Sequence, residues 1–319
     1  MSESGDYDPG DWKGYDFSKA KKTYDTHVGR SYDDAVSSGK SLDKVLEKSL
    51  KTESTSPLVI ACDVTGSMGE WPATIFSKLP YLDLEGQEYL GKDMEISFAA
   101  IGDAYCDKYP LQVRKFTKGK NLEKTLKELI IEGGGGGQTN ESYELAATYY
   151  ARNVEMPNAI RPIMVIIGDE GVYDYVDKRQ AKEFANVNIE GRLSTKNLFD
   201  ELKNKYSVYL VRKPYQTSSR DGMSSIDTKI YNQWSELLGA DHIAILPDAG
   251  RVVDVIFGIL AKETDRKEYF KEELVGRQKD NQVKEVMKSL TDIHALNPKT
   301  HKMLDTGTKS DSKERKKLI

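Results

Sequence analysis

The sequence predicts an α/β protein built on a doubly wound, mostly parallel six-stranded sheet, with helices on both faces and one antiparallel edge strand. Three observations lead there. Apolar runs of strand length recur along the 319 residues, and helix-patterned stretches separate most of them. The first, "LVIACDV", is too continuous in apolar residues to be half exposed and suits a strand covered on both faces. Two of the runs are joined by a short polar loop, close enough to form a hairpin in which one strand runs antiparallel to its neighbour.

Taken in order, residues 1–40 are polar, with Tyr7, Tyr15, Tyr24 and Tyr32 scattered without period, and read as an arm. Ser41 as an N-cap and Leu42, Val45, Leu46 and Leu50 along one face predict a short helix over 41–51, ended by the polar "TESTSP" linker. The first strand is 58–64. A helix near 68–79 leads to strands at 94–102 and 111–116, the hairpin pair. Helices over 121–131 and 141–153 flank five consecutive glycines, 133–137. A strongly apolar strand follows at 160–168, then helices at 177–186 and 195–204, a strand at 206–211, a helix at 227–239, a strand at 242–246 and a closing helix at 251–263. Residues 264–290 carry Phe270, Leu274, Val283, Val286, Met287 and Leu290 at near-helical spacing, as for a helix packed on its own domain. The chain thus divides into an arm with a short helix (1–55), an α/β domain (56–263) and a charged helical extension with a basic tail (264–319).

Composition narrows the function classes. Net charge is −4, from 47 basic and 51 acidic residues, which gives no reason to expect nucleic acid or an anionic membrane as partner. No apolar run approaches the roughly 18 residues of a bilayer span. The N-terminus lacks the basic and apolar regions of a secretory signal. Two cysteines, Cys62 and Cys106, are too few for a disulfide framework and read as reduced thiols; the four histidines are too scattered for a His-rich zinc site. These features predict a cytoplasmic protein.

Ligands of open α/β sheets gather outside the carboxyl ends of the strands. Asp63, Thr65 and Ser67 follow the first strand; Asp169 and Glu170 follow the strand 160–168. If strand 111–116 runs away from that edge, helix 121–131 returns the glycine loop, and with it Thr139, to the same edge. Two carboxylates and three hydroxyls, with no soft donor, match the oxygen preference of Mg²⁺, with Mn²⁺ or Ca²⁺ as alternatives. The glycines remove Cβ atoms where the backbone passes near an ion or an incoming ligand. Asp103, Tyr105, Tyr215 and Arg220 fall on loops of the same edge and read as ordinary polar rim.

"DVTGSM", the glycine loop ending in Thr139, and Asp169 after an apolar strand resemble the metal-ion-dependent adhesion site (MIDAS) of von Willebrand factor A-type (vWA) domains. The family pattern is an Asp-x-Ser-x-Ser loop, a lone Thr and a lone Asp, in that order. The resemblance covers roughly residues 56–263. It implies a Rossmann-like fold in which Asp63, Thr65, Ser67, Thr139 and Asp169 hold the metal and leave one position for an acidic side chain of a partner protein. It also implies a binding module without catalysis; intracellular relatives commonly work beside AAA+ ATPases or inside larger assemblies. Two departures are Thr65 where Ser is usual, and Glu170 where many members carry Gly. A competing reading is enzymatic: "DVTGS" also resembles the phosphorylated loop of P-type ATPases, and "GDEGVYD" the Gly-Asp…Asp motif of haloacid-dehalogenase-type phosphatases. Asp63 would then be a nucleophile, with Asp169 and Asp174 holding Mg²⁺. Against it, Thr65 stands where those phosphatases usually place a second Asp.

Overall fold

The computed structural model describes residues 46–69, 71–79, 81–131, 139–215, 223–246 and 248–294. The arm 1–40, residues 41–45 of the expected first helix, the glycine run 133–137, Arg220 and the tail from 295 onward lie outside the described residues.

The six apolar runs form strands β1 (Leu58–Asp63), β2 (Ile96–Ile101), β3 (Leu111–Val113), β4 (Ile163–Gly168), β5 (Ser207–Arg212) and β6 (Ile243–Ile245). Their spatial order is β6-β5-β4-β1-β2-β3. All neighbours are parallel except β2 and β3, whose hairpin sets Ala99 opposite Val113 and Ile101 opposite Leu111. The chain builds outward from β1 in one direction through β3. It then returns to the other side of β1 with β4, so the strand order reverses between β1 and β4. In open α/β sheets, loops leaving two such strands turn apart, and the crevice between them lies at the carboxyl ends.

The helices are α1 (Trp71–Lys78), α2 (Tyr81–Leu90), α3 (Asn121–Lys127), α4 (Tyr143–Arg152), α5 (Lys178–Phe184), α6 (Thr195–Lys203), α7 (Ser225–Leu238), α8 (Val252–Glu263), α9 (Lys267–Arg277) and α10 (Asp280–Ser289). Successive strand side chains point to opposite faces, so each central strand feeds two cores. Leu58, Ile60, Cys62, Ile163, Val165 and Ile167 pack with α1–α3 and α8–α10. Val59, Ala61, Met164 and Ile166 pack with α4–α7. This double coverage is why these runs carry no polar alternation.

Three expectations change. Within the described part of 41–51 there is no helix. Leu50–Lys51 instead pairs in parallel with Val154–Glu155, and Leu46 bridges Val113. Edge pairing gives Leu50 N a partner in Asn153 O at 2.8 Å and buries the Leu50 side chain in the second core. A lone helix of that length is marginal in water, so the pairing wins. Second, the sequence reading places no element over Tyr81–Leu90, where α2 forms despite the low helix propensity of Gly86. Burial of Tyr81, Leu82, Tyr89 and Leu90 overrides this. Gly86 lets the Met94 side chain pack close, since a Cβ would meet its terminal methyl at 2.9 Å.

Third, the single helix expected over 264–290 is two, α9 and α10, separated at Gln278, whose backbone is extended. Gln278 is held at that corner by Arg251, whose Nη1 donates to Gln278 Oε1 at 2.8 Å, and its own Nε2 donates to Asp254 Oδ2 at 3.2 Å. Phe270, Leu274, Val286 and Leu290 join the first core, as their spacing predicts. No helix among the described residues is long and apolar enough to cross a membrane.

At Gly258 of α8 the residue after α10 packs against the backbone: a Cβ there would lie 2.1 Å from Leu290 Cδ1. Gly258→Ala is therefore expected to lower unfolding stability by about 1–3 kcal/mol through overpacking. Chemical denaturation measures the loss, and amide exchange should rise first in α9 and α10. Unchanged stability and exchange would contradict this packing.

Candidate functional site

Asp63 ends β1 at the carboxyl edge and is fully buried. The chain turns tightly behind it because its carboxylate captures the next residues. Thr65 N and Thr65 Oγ1 both donate to Asp63 Oδ1, at 2.8 and 2.7 Å. A short 3-10 turn, Gly66–Met68, then brings Ser67 back, with its Oγ 3.2 Å from Thr65 Oγ1. Across the crevice Ser67 Oγ donates to Asp169 Oδ1 at 3.0 Å. The four side chains form one continuous line of oxygens, from one carboxylate through two hydroxyls to the other.

Asp169 is placed by the segment that follows β4. Trp234 Nε1 of α7 donates to Glu170 O at 2.8 Å, and the Gln233 amide both donates to and accepts from the Val172 backbone. Arg212 Nη2 donates to Asp169 O at 3.4 Å while paired with Asp227. Thr139 reaches the same place through the backbone: Gly171 N donates to Thr139 O at 3.0 Å, and Asn140–Glu141 pairs in parallel with Gly171–Val172. Its side chain is half-buried, and its hydroxyl makes no hydrogen bond to the other four among the described residues. Thus Asp63, Thr65, Ser67 and Asp169 touch in sequence, and Thr139 is tied by its carbonyl to Gly171, two residues past Asp169.

Sequence reasoning missed two residues here. Tyr143, at the start of α4, donates its hydroxyl to Asp63 Oδ2 at 2.5 Å. It fits because residue 168 is glycine; a Cβ there would lie 2.0 Å from Tyr143 Oη. Lys213, one residue past β5, donates from Nζ to Asp169 Oδ2 at 3.1 Å and to the Ser67 carbonyl oxygen. Its ammonium also lies 5.7 Å from the centroid of the Trp71 ring. Neither had a local signal. A tyrosine in a helix and a lysine after a strand acquire meaning only when distant segments meet.

Burial, and then the charge of Asp169, push the Asp63 carboxyl up to about 7; the hydrogen bonds from Tyr143 and Thr65 partly offset this. The donor set is all oxygen: the neighbouring Cys62 thiol packs in the first core, and Cys106 is free and exposed. Each hydroxyl has one hydrogen, and those of Thr65 and Ser67 go to carboxylates, so both oxygens keep acceptor capacity. Among the described residues no three His, Cys, Asp or Glu side chains converge on a metal-sized position. The candidate set has two carboxylates, and the rest of its donors are hydroxyls.

Behind the site the expected rim residue Asp103 is buried rather than exposed. Tyr173 Oη donates to it at 3.1 Å, and Ser142 Oγ at 3.4 Å. Tyr105 is exposed against the Tyr173 ring, and Tyr215 Oη donates to Glu170 Oε1. Burial and the surrounding acids push the Glu141 carboxyl up to about 10.

No family model and no curated protein matches the sequence. Among solved structures, two crystal structures of the pilus adhesin SpaC from Lactobacillus rhamnosus GG are similar in shape. One has a TM-score of 0.44 at 12% identity and covers 77% of this chain. The other, an open conformation, has 0.46 at 10% identity and covers 71%. Proximal thread matrix protein 1 of the mussel byssus has 0.45 at 8% identity and covers 66%. This chain spans 32% and 31% of the two adhesin chains and 48% of the byssus protein. At these scores the likeness carries no argument about site or activity.

Two predictions follow from this geometry. Gly168→Ala should destabilise the fold by about 1–3 kcal/mol by driving Tyr143 off Asp63, and combining it with Tyr143→Phe should cost less than the sum of the single losses. Strict additivity in a denaturation cycle would rule out the close approach. Glu144, in the first turn of α4, is fully buried with Oε2 unpartnered, and burial holds its carboxyl well above the ordinary range. The folded state then keeps a proton the unfolded chain releases near pH 4.5, so this contribution is complete below that pH and declines as pH rises. The loss is at most about 1.4 kcal/mol per pH unit. Glu144→Gln should flatten the pH dependence of stability between about pH 4.5 and 8. An unchanged slope would show that Glu144 ionises freely.

Proposed function

We propose that this chain is a vWA-type protein-binding module, Rossmann-like and doubly wound, that uses a divalent cation to recognise an acidic side chain of another protein. Asp63, Thr65, Ser67, Thr139 and Asp169 would hold the ion, with Mg²⁺ the first candidate and Mn²⁺ or Ca²⁺ the alternatives. A bound ion would supply an electrophilic centre with a coordination position open to a carboxylate from outside. An AAA+ ATPase or a larger assembly is the partner class that the family resemblance suggests.

The observation that carries this reading is the line of touching oxygens Asp63–Thr65–Ser67–Asp169 across the point where strand order reverses. In open α/β sheets that point is where ligands bind. Hydroxyl donors add no negative charge, so a divalent ion there would keep part of its charge for a partner's carboxylate. The phosphatase reading has less support. Asp63 Oδ1 already accepts two hydrogen bonds from Thr65, and Oδ2 accepts one from Tyr143, which leaves a nucleophile little freedom.

The test is a pull-down with wild type and Asp63→Ala, each in Mg²⁺ and in EDTA. Partners should be recovered by wild type in Mg²⁺ and lost in EDTA or on substitution. The same partners under all four conditions would end metal-mediated recognition. An acid-stable, hydroxylamine-labile label after incubation with acetyl phosphate and Mg²⁺ would favour the phosphatase instead.

A further inference from the structure

Lys213 is the one cation placed directly on the line of site oxygens among the described contacts. Its backbone N donates to Gly168 O at 2.9 Å, which anchors the residue across the crevice from β1. The side chain then turns over the Trp71 ring and delivers its ammonium to Asp169 Oδ2 and the Ser67 carbonyl. These oxygens belong to two of the residues assigned to the metal, and the Lys213 side chain is not sealed in, being 18% exposed. A lysine suits this position physically. Its charge is compact, its four-carbon stem is flexible, and it can release a carboxylate without breaking a bidentate fork.

An ammonium and a divalent ion cannot both sit against Asp169 without strong mutual repulsion at such short range. Without a metal, Lys213 neutralises one of the two buried carboxylates; with a metal, that neutralisation is redundant and repulsive. We propose that Lys213 is a tethered counter-cation that competes with the divalent ion for Asp169 and the Ser67 loop, so that metal loading expels its ammonium toward the rim. This rests on the metal reading above and adds a threshold to it. The site loads only when the free ion outcompetes the chain's own lysine, and loading exposes a positive charge beside the position offered to an acidic partner.

The test uses the full chain, with Mn²⁺ as the probe and free Mn²⁺ followed by electron paramagnetic resonance. Lys213→Met should bind Mn²⁺ about tenfold more tightly than wild type or more, because one like charge is removed at contact range, whereas Lys213→Arg should not gain. In EDTA the Met variant should melt below wild type, and in saturating Mn²⁺ the difference should vanish. A purely structural lysine would not produce that convergence. If wild type binds Mn²⁺ in an Asp63-dependent way and Lys213→Met binds no better, the competition is refuted and the metal reading stands. If none of the proteins binds Mn²⁺, both fail together. Should Lys213→Met not fold, acetic anhydride labelling of wild type read by mass spectrometry decides: Lys213 should react several-fold faster with Mn²⁺ than in EDTA, and equal rates overturn the proposal.

Discussion

Burying the carboxylates of Asp63 and Asp169 side by side, at the carboxyl ends of adjacent parallel strands, is the constraint around which the rest of this edge is arranged. Each is almost wholly removed from water. Two such charges cannot share a low-dielectric site without compensation. The protein compensates in three ways visible here. Thr65 and Tyr143 donate to Asp63, Ser67 donates to Asp169, and Lys213 places a positive charge on the far side of Asp169.

That arrangement needs rigid support, because a carboxylate moved by one ångström loses its partners. The support comes from elements far apart in the chain. α7 holds the segment after β4 through Gln233 and Trp234, while Trp234 stands edge-on to both Tyr143 and Phe199. Gly168 supplies the empty space into which the Tyr143 hydroxyl fits. Ser142 accepts from Ala104 N and so links the loop after β2 to the start of α4. Loops carry the functional oxygens, and buried aromatic and amide side chains fix the loops.

The α/β pattern was legible because it depends on local regularities. Continuous apolar runs marked all six strands, and the short loop after Ile101 marked the antiparallel pair. The reading failed where a tertiary contact outweighed local preference. Leu50 pairs at an edge instead of lying on a helix, Gly86 sits inside one, and a helical period continuing through Gln278 is broken by its side-chain contacts with Arg251 and Asp254. Of the candidate site, Asp63, Thr65 and Ser67 could be named because they follow one apolar strand within a few residues, and Asp169 because it follows another, whereas naming Thr139 needed an assumed strand direction.

By itself the sequence determined the alternation of strands and helices, the burial of the central strands on both faces and the supply of hydroxyls and acids at their carboxyl ends. Those properties follow from residue type and spacing within a few positions. Only the tertiary structure decided that strand order reverses between β1 and β4, that Tyr143 reaches Asp63 beneath Gly168, and that Lys213 closes on Asp169. Such contacts join residues separated by 80 and 44 positions. Their energies depend on how elements pack after the chain has folded, which no local pattern encodes.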